Sequence, residues 1–417
     1  MAEPQNSANE EDPKLQANFP LAGRMISEQF DLSNRLGRGD RTALGIWFWE
    51  LDRVLLALIL SLLAIGLLAV AAASPATARR LSSADVSLPE LYFFYRQFAW
   101  AVIAFVTMLV ISMFPKNMVR RMALIGFAAM VVAMLFTIIL GSEINGAKRW
   151  INLGFMSFQA SEFLKPFYAV AIAWVVSWKL KDKSLPVYPI IFAITGFLAM
   201  ILMLQPDLGQ TILLSGICFA VIMVSGVKFW KLAALFGMGI GGLVTAYFTY
   251  SVAATRIDAF LFGTDGITHD KLALSTLSAG GLFGVGPGLG ERKYSLPEAH
   301  TDYIFSVIGE EFGLLACAAI IIIYFAIIIR VALRLFEEKD YFTILAVTGL
   351  VTQFCGQAMI NIAVNLGMFP SKGMTLPFIS YGGSSLWSIS ITSGLILALT
   401  RRNPFMHKQG QNRRYNR

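Results

Sequence analysis

Along the chain the apolar positions fall into ten long blocks of roughly 16 to 23 residues, set apart by short polar or basic stretches. The blocks cover 54–73, 97–114, 122–140, 163–178, 187–204, 211–226, 232–252, 312–329, 342–364 and 384–399. At about 1.5 Å of rise per residue, most are long enough to cross the roughly 30 Å hydrocarbon core of a bilayer as helices. The pattern predicts an all-α polytopic membrane protein of ten transmembrane helices, with a large loop, 253–302, between helices seven and eight. Two polar ends flank this 51–403 domain: a tail over 1–50 with no sustained apolar period, and a short basic tail over 404–417.

Composition agrees with the blocks. Hydrophobic residues make up 56% of the 417 residues and charged ones only 14%, and the mean hydropathy is +0.64. Most of the 34 Lys and Arg residues lie in alternate loops and in the two tails, which predicts that both termini are cytoplasmic and that the 253–302 loop is extracytoplasmic. The net charge of +8 follows from this bias, so it is no sign of nucleic-acid binding. The first thirty residues lack the apolar core of a cleavable signal. Cys218, Cys317 and Cys355 all fall inside apolar blocks and read as packing residues. No Walker A or dinucleotide fingerprint occurs.

Candidate chemistry gathers on the outer side. In Leu296 to Glu311 a stretch holding Glu298, His300, Thr301 and Asp302 runs straight into an apolar block, and charge beside lipid is costly unless it is used. Asp302 has two readings: a general base, or a negative charge that favours the start of the eighth helix. The glycine-rich run 280–290 permits close backbone approaches or a mobile loop, and the Glu291-Arg292-Lys293 after it puts cations beside exposed backbone N–H groups. Glu162 and Lys165 stand at i,i+3 near the start of a span, as a structural ion pair or part of a site. Lys148 and Arg149, before an interfacial Trp150, are snorkelling anchors or phosphate ligands. Asp207 reads as a helix cap, and the Pro- and Gly-bearing 365–385 stretch as re-entrant or irregular backbone, which membrane depth tolerates only inside protein or along a watery cavity.

Five of these stretches together resemble one family, the SEDS proteins (shape, elongation, division and sporulation), over nearly the whole of 47–404. They are Gly-Ala-Lys-Arg-Trp-Ile at 146–151, Ser-Glu-Phe-Leu-Lys at 161–165, Gln-Pro-Asp-Leu-Gly at 205–209, Pro-Glu-Ala-His-Thr-Asp-Tyr-Ile-Phe at 297–305 and Leu-Pro-Phe-Ile-Ser-Tyr-Gly-Gly-Ser-Ser at 376–385. Pro370 to Pro377 is most similar to the division branch. The chain departs from the family pattern at 271–277 and 288–291, so roles of the family's polar groups there do not carry over.

The resemblance implies a peptidoglycan polymerase of the bacterial inner membrane, acting at the division septum. Lipid II would donate its disaccharide to the 4-hydroxyl of another chain and leave undecaprenyl pyrophosphate. Asp302 then becomes the catalytic base, and Lys148, Arg149, Arg256 and Lys293 the cations for the pyrophosphate. Glu162, Lys165, Glu298, His300, Thr301 and Ser384 fall in the family motifs as further substrate contacts. A divalent cation, Mg or Mn, is compatible with a pyrophosphate leaving group, and no organic cofactor is expected. The implied partners are lipid II, the growing glycan strand, a class B penicillin-binding protein and other division membrane proteins. Two alternatives stay open: a lipid II flippase and a non-catalytic division scaffold.

Overall fold

The computed structural model describes residues 42–82, 87–144, 147–152, 154, 157–180, 182–249, 254, 258, 269–370 and 373–402. They fall into two compact units. In the first, helix α1 (Ala43–Glu50) starts at Thr42, whose hydroxyl accepts from Gly45 N at 3.2 Å.

The second unit, Asp52–Thr400, is built almost wholly of helices. In chain order these are α2 (Arg53–Leu81), α3 (Tyr92–Ser112), α4 (Lys116–Leu140), α5 (Ala160–Ser177), α6 (Val187–Leu204), α7 (Leu208–Val224), α8 (Phe229–Thr249), α9 (His269–Ala279), α10 (Ile304–Phe336), α11 (Tyr341–Asn365) and α12 (Gly383–Thr400). Among the described residues, eight helices are long and apolar enough to cross a membrane: α2 to α6 and α10 to α12. Helix α7 is apolar but shorter, at 17 residues. Between α4 and α5 the expected all-α pattern gives way to a small antiparallel sheet, β1 (Ser142–Ile144), β2 (Ala147–Asn152) and β3 (Ser157–Phe158), in the order β1-β2-β3. It carries Arg149 on its central strand.

The centre of the bundle is α12, α5 and α11, whereas α4 turns most of its surface outward. Helix α12 reads Gly-Ser-Ser-Leu-Trp-Ser-Ile-Ser-Ile-Thr-Ser-Gly, and such small residues let neighbouring backbones close in where lipid supplies no hydrophobic drive between helices. Of the two settings open to it, the irregular 374–382 stretch takes the first and lies inside protein: Met374, Leu376, Phe378, Ile379 and Ser380 are all buried. It reaches so close to α2 that a Cβ on Gly66 would collide with the Phe378 carbonyl oxygen.

Two clusters define the ends of the bundle. At one, Asp52 caps α2 by accepting from Val54 N and Leu55 N, both at 3.2 Å, and pairs with Arg330 (2.9 Å) and Arg334 (2.6 Å) at the far end of α10. Burial opposes its ionisation, but Arg330, Arg334 and the Leu55 N–H together hold its carboxyl below the usual carboxylate value. At the other end, Thr77 of α2 meets His300 at 3.1 Å. Residues 52 and 77 are about 37 Å apart at helical rise, enough to separate the two faces of a bilayer.

Candidate active site

The stretch 296–303 does not begin a helix; α10 starts only at Ile304, and the turns before it are fixed by their carbonyl oxygens. His300 O accepts from Tyr381 N at 2.9 Å. Thr301 O accepts from Ser380 Oγ at 2.6 Å, and Asp302 O from Asn361 Nδ2 (2.9 Å) and Asn365 Nδ2 (3.0 Å). Three successive residues are thus clamped between α11 and the 374–382 stretch. Their side chains have little freedom left in where they point.

His300 is buried, its ring between Phe93 (centroids 4.7 Å) and Tyr381 (5.1 Å) and its Nδ1 on Thr77 Oγ1. Burial lowers its pKa to about 4 against the opposing pull of Glu298, so the ring is neutral at pH 7 and serves as a wedge. Glu298 is exposed, takes a positive φ of 53°, and accepts from Thr301 Oγ1 at 2.8 Å. That bond turns Thr301 towards Glu298.

The Asp302 side chain is partly buried. Among the described residues its carboxylate oxygens have no hydrogen-bond partner, and a Cβ on Gly373 would stand 3.3 Å from Oδ2. Gly373 therefore leaves room beside the carboxylate. Desolvation, and next the Glu298 charge, raise the Asp302 pKa to about 7; Arg149 pulls it down, and Asp207 and Glu162 add to the rise. A carboxyl so placed is a base matched to neutral pH.

Arg149 of β2 reaches the Gln205-Pro206-Asp207 turn. Its guanidinium donates to Gln205 O at 2.8 Å and to Pro206 O, and lies 3.8 Å from Asp207. Asp207 caps α7, accepting from Gln210 N at 3.2 Å, as its position suggested. Two of the five motif stretches thus meet at one ion pair. The side chain of Lys148, and all of Ser371, Lys372 and Arg256, lie outside the described residues.

Glu162 and Lys165 are both buried and form an ion pair at 2.9 Å. Lys165 Nζ also donates to Gln357 Oε1 (2.7 Å), and Gln357 Nε2 to Thr375 O (3.0 Å). Gln210 Nε2 donates to Glu162 Oε1. The pair sits in the protein core and braces the loop beside Asp302, instead of facing open space. Ser384 is buried at the start of α12.

Sequence reasoning missed the polar ladder that does this holding. Gln353, Gln357, Asn361 and Asn365 recur every fourth residue on one face of α11, and all four are buried. They donate to Thr392 Oγ1, to Thr375 O, to Met374 O (2.6 Å) and to Asp302 O. Asn365 Oδ1 in turn accepts from Ser306 N and Oγ. Four carboxamides at helical spacing in an apolar block were the available signal.

Lys293 departs most from its expected place. Its Nζ is fully buried, donating to Glu311 Oε1 and to Ala72 O (3.0 Å), and so is not offered to a phosphate. Glu311 also accepts from Gly288 N at 3.1 Å, and Glu310 from Arg292 N (2.7 Å) and Lys293 N (3.0 Å). The two carboxylates staple the 288–293 segment to α10. Helix α10 is interrupted at Gly313, where the backbone turns to φ 81°, ψ 176°. The glycines serve close contact: a Cβ on Gly280 would run into Gly309 O.

No group of three His, Cys, Asp or Glu side chains converges among the described residues. They form no cage for a resident divalent ion, so no step is routed through one.

The family of cell cycle proteins that groups FtsW, RodA and SpoVE matches residues 53–404. The chain belongs to this SEDS family. It is similar to the probable peptidoglycan glycosyltransferase FtsW of Caulobacter vibrioides, 36% identical over 373 residues, 89% of this chain and 95% of that one. The protein of the same name from Pasteurella multocida is 33% identical over 85% of this chain and 91% of its own. Among solved structures, a chain from a peptidoglycan synthase complex that coordinates polymerization and crosslinking superposes with a TM-score of 0.68, at 24% identity over 84% of this chain and 97% of that one. The rod shape determining protein RodA of Thermus thermophilus gives 0.61, at 23% identity over 84% and 96%. Both structures share the fold of this SEDS chain.

Proposed function

We propose that the protein is a peptidoglycan glycosyltransferase that polymerises lipid II, with Asp302 as general base. One observation carries the reading: a partly desolvated carboxyl, raised to about 7, stands on a clamped turn at one end of a membrane bundle. Membership of a family whose relatives are named for this activity supports it.

In the reaction Asp302 accepts the proton of the acceptor sugar's 4-hydroxyl as that oxygen bonds to the anomeric carbon of the donor. The anomeric C–O bond breaks, and its electron pair leaves with undecaprenyl pyrophosphate. Arg149, which already acts on the Asp302 charge, is the described cation best placed to meet the charge that develops. Lys148 and Arg256 complete the set of cations in this reading. Glu298, Thr301 and His300 shape the turn, and Glu162, Lys165, Lys293 and Ser384 act from within the protein.

Helices α7 and α8 complete ten spans, with both termini cytoplasmic and the Asp302 end facing outward. The protein works at the division septum beside a class B penicillin-binding protein transpeptidase and other division proteins. A divalent ion that assists would arrive with the pyrophosphate.

The test is polymerisation of lipid II by purified protein in detergent, with and without the transpeptidase partner and a divalent ion. The parent makes glycan chains and Asp302→Asn makes none while keeping its fold. Glycan synthesis by that variant at the parental rate would refute Asp302 as base. A flippase would make no polymer in detergent, and a scaffold would be indifferent to the substitution.

A further inference from the structure

Leu282, Phe283, Val285 and Leu289 are 59%, 79%, 42% and 70% exposed, although they lie outside the spanning helices. Such a cluster in water is costly, which marks it as a surface for an apolar environment. The backbone beside it identifies that environment.

Helix α10 is broken at Gly313, and a break at membrane depth leaves backbone groups that lipid cannot satisfy. The 281–286 segment fills it. Val285 N donates to Glu310 O (2.9 Å) and Gly286 N to Glu311 O (3.0 Å). Leu314 N and Leu315 N donate to Gly281 O (3.0 Å) and Leu282 O (3.2 Å). A Cβ on Gly284 or Gly313 would collide with this pairing.

The break also fixes the depth. Gly313 lies at the start of the apolar block 312–329, where hydrocarbon begins at the Asp302 end of the bundle. Leu314 and Leu315, hydrogen-bonded to the segment, are 49% and 55% exposed on a membrane-spanning helix and so face lipid. The apolar side chains of 282–289 continue that surface. Glu291 and Arg292, just beyond, are exposed charges suited to the headgroup layer.

We propose that residues 281–289 form a re-entrant, lipid-facing turn whose Leu282, Phe283, Val285 and Leu289 side chains sit among the acyl chains of the leaflet on the Asp302 side. The turn fills the broken helix and, through Glu310 and Glu311, fastens the 288–293 arm leading to Asp302 at the bilayer surface. It does not depend on the proposed catalytic role of Asp302.

The experiment uses the full chain in nanodiscs of phosphatidylethanolamine and phosphatidylglycerol, with Phe283→Cys, Glu291→Cys and Leu314→Cys each labelled with an environment-sensitive maleimide dye. The native cysteines are buried and stay unlabelled. The dye at 283 should emit to the blue of that at 291, be quenched by shallow spin-labelled lipid as at 314, and resist iodide several-fold better than at 291. Iodide quenching at 283 equal to that at 291 overturns the proposal, because the turn then lies in water. Protection from both quenchers overturns it too, because protein and not lipid then covers the turn.

Discussion

Lys293→Met tests whether the buried cation braces the structure or serves a phosphate. Both side chains of the Lys293–Glu311 pair are fully buried, and the Lys also donates to Ala72 O. The variant leaves Glu311 with the Gly288 N–H as donor but without its cation. Breaking a buried pair from one side costs about 3–5 kcal/mol, on the order of 5–10 °C in melting temperature. Removing the charge from the other side as well, with Glu311→Gln, recovers most of that, giving a coupling of about 2 kcal/mol or more. The assay is thermal unfolding in detergent, followed with a thiol-reactive dye, since Cys218, Cys317 and Cys355 are all buried until the bundle opens. A single variant that melts with the parent, or a double variant no more stable than the single, would sink the reasoning. If Lys293 instead bound pyrophosphate, the restabilised double variant would stay inactive; the bracing role predicts that it polymerises.

Four further outcomes follow from the geometry. Polymerisation should rise with pH through about 7 and fall tenfold per unit well below it, because Asp302 must be ionised to accept a proton. A folded-state pKa raised from 3.8 stabilises the protein below that value and loses this contribution as pH climbs to about 7. Asp302→Asn should therefore melt higher than the parent at pH 8, with the gap closing towards pH 4; a pH-independent gap would exclude the raised pKa. Gly313→Ala should cost about 1–3 kcal/mol in the same melting assay, since its positive φ is unfavourable for Ala and its Cβ meets the Gly284 N and Leu282 O atoms. Asn361→Leu should lower kcat more than KM and cost about 1–3 kcal/mol, because Met374 O loses a buried donor and Asp302 O keeps only Asn365; steady-state kinetics on lipid II separate the two parameters.

Local patterns carried much of this protein. Hydrophobic blocks foretold the spanning helices, since a bilayer demands length and apolarity that show in one dimension. The ionisable crowd at Glu298 to Asp302 and the cap at Asp207 were equally visible, as charge beside lipid and a polar residue before an apolar run are local signals. The break at Gly313 was not legible, since an apolar block running from Phe312 reads as continuous helix, and nothing in one stretch says which loop fills it.

Partnership between distant residues was decided only in three dimensions. The sequence offered Lys293 and Arg149 as equivalent outer cations; packing turned one inward onto Glu311 and left the other on the 205–207 turn, where it acts on Asp302. It offered Glu162 and Lys165 as a pair with an open role, and the folded core made them a brace through Gln357. The pKa of Asp302 likewise depends on desolvation and on charges from four separate stretches. Periodicity and composition determine which segments enter the membrane, because that choice is between chain and solvent. Which side chain meets which is set by the close packing of helices far apart in sequence, and only the tertiary structure holds that information.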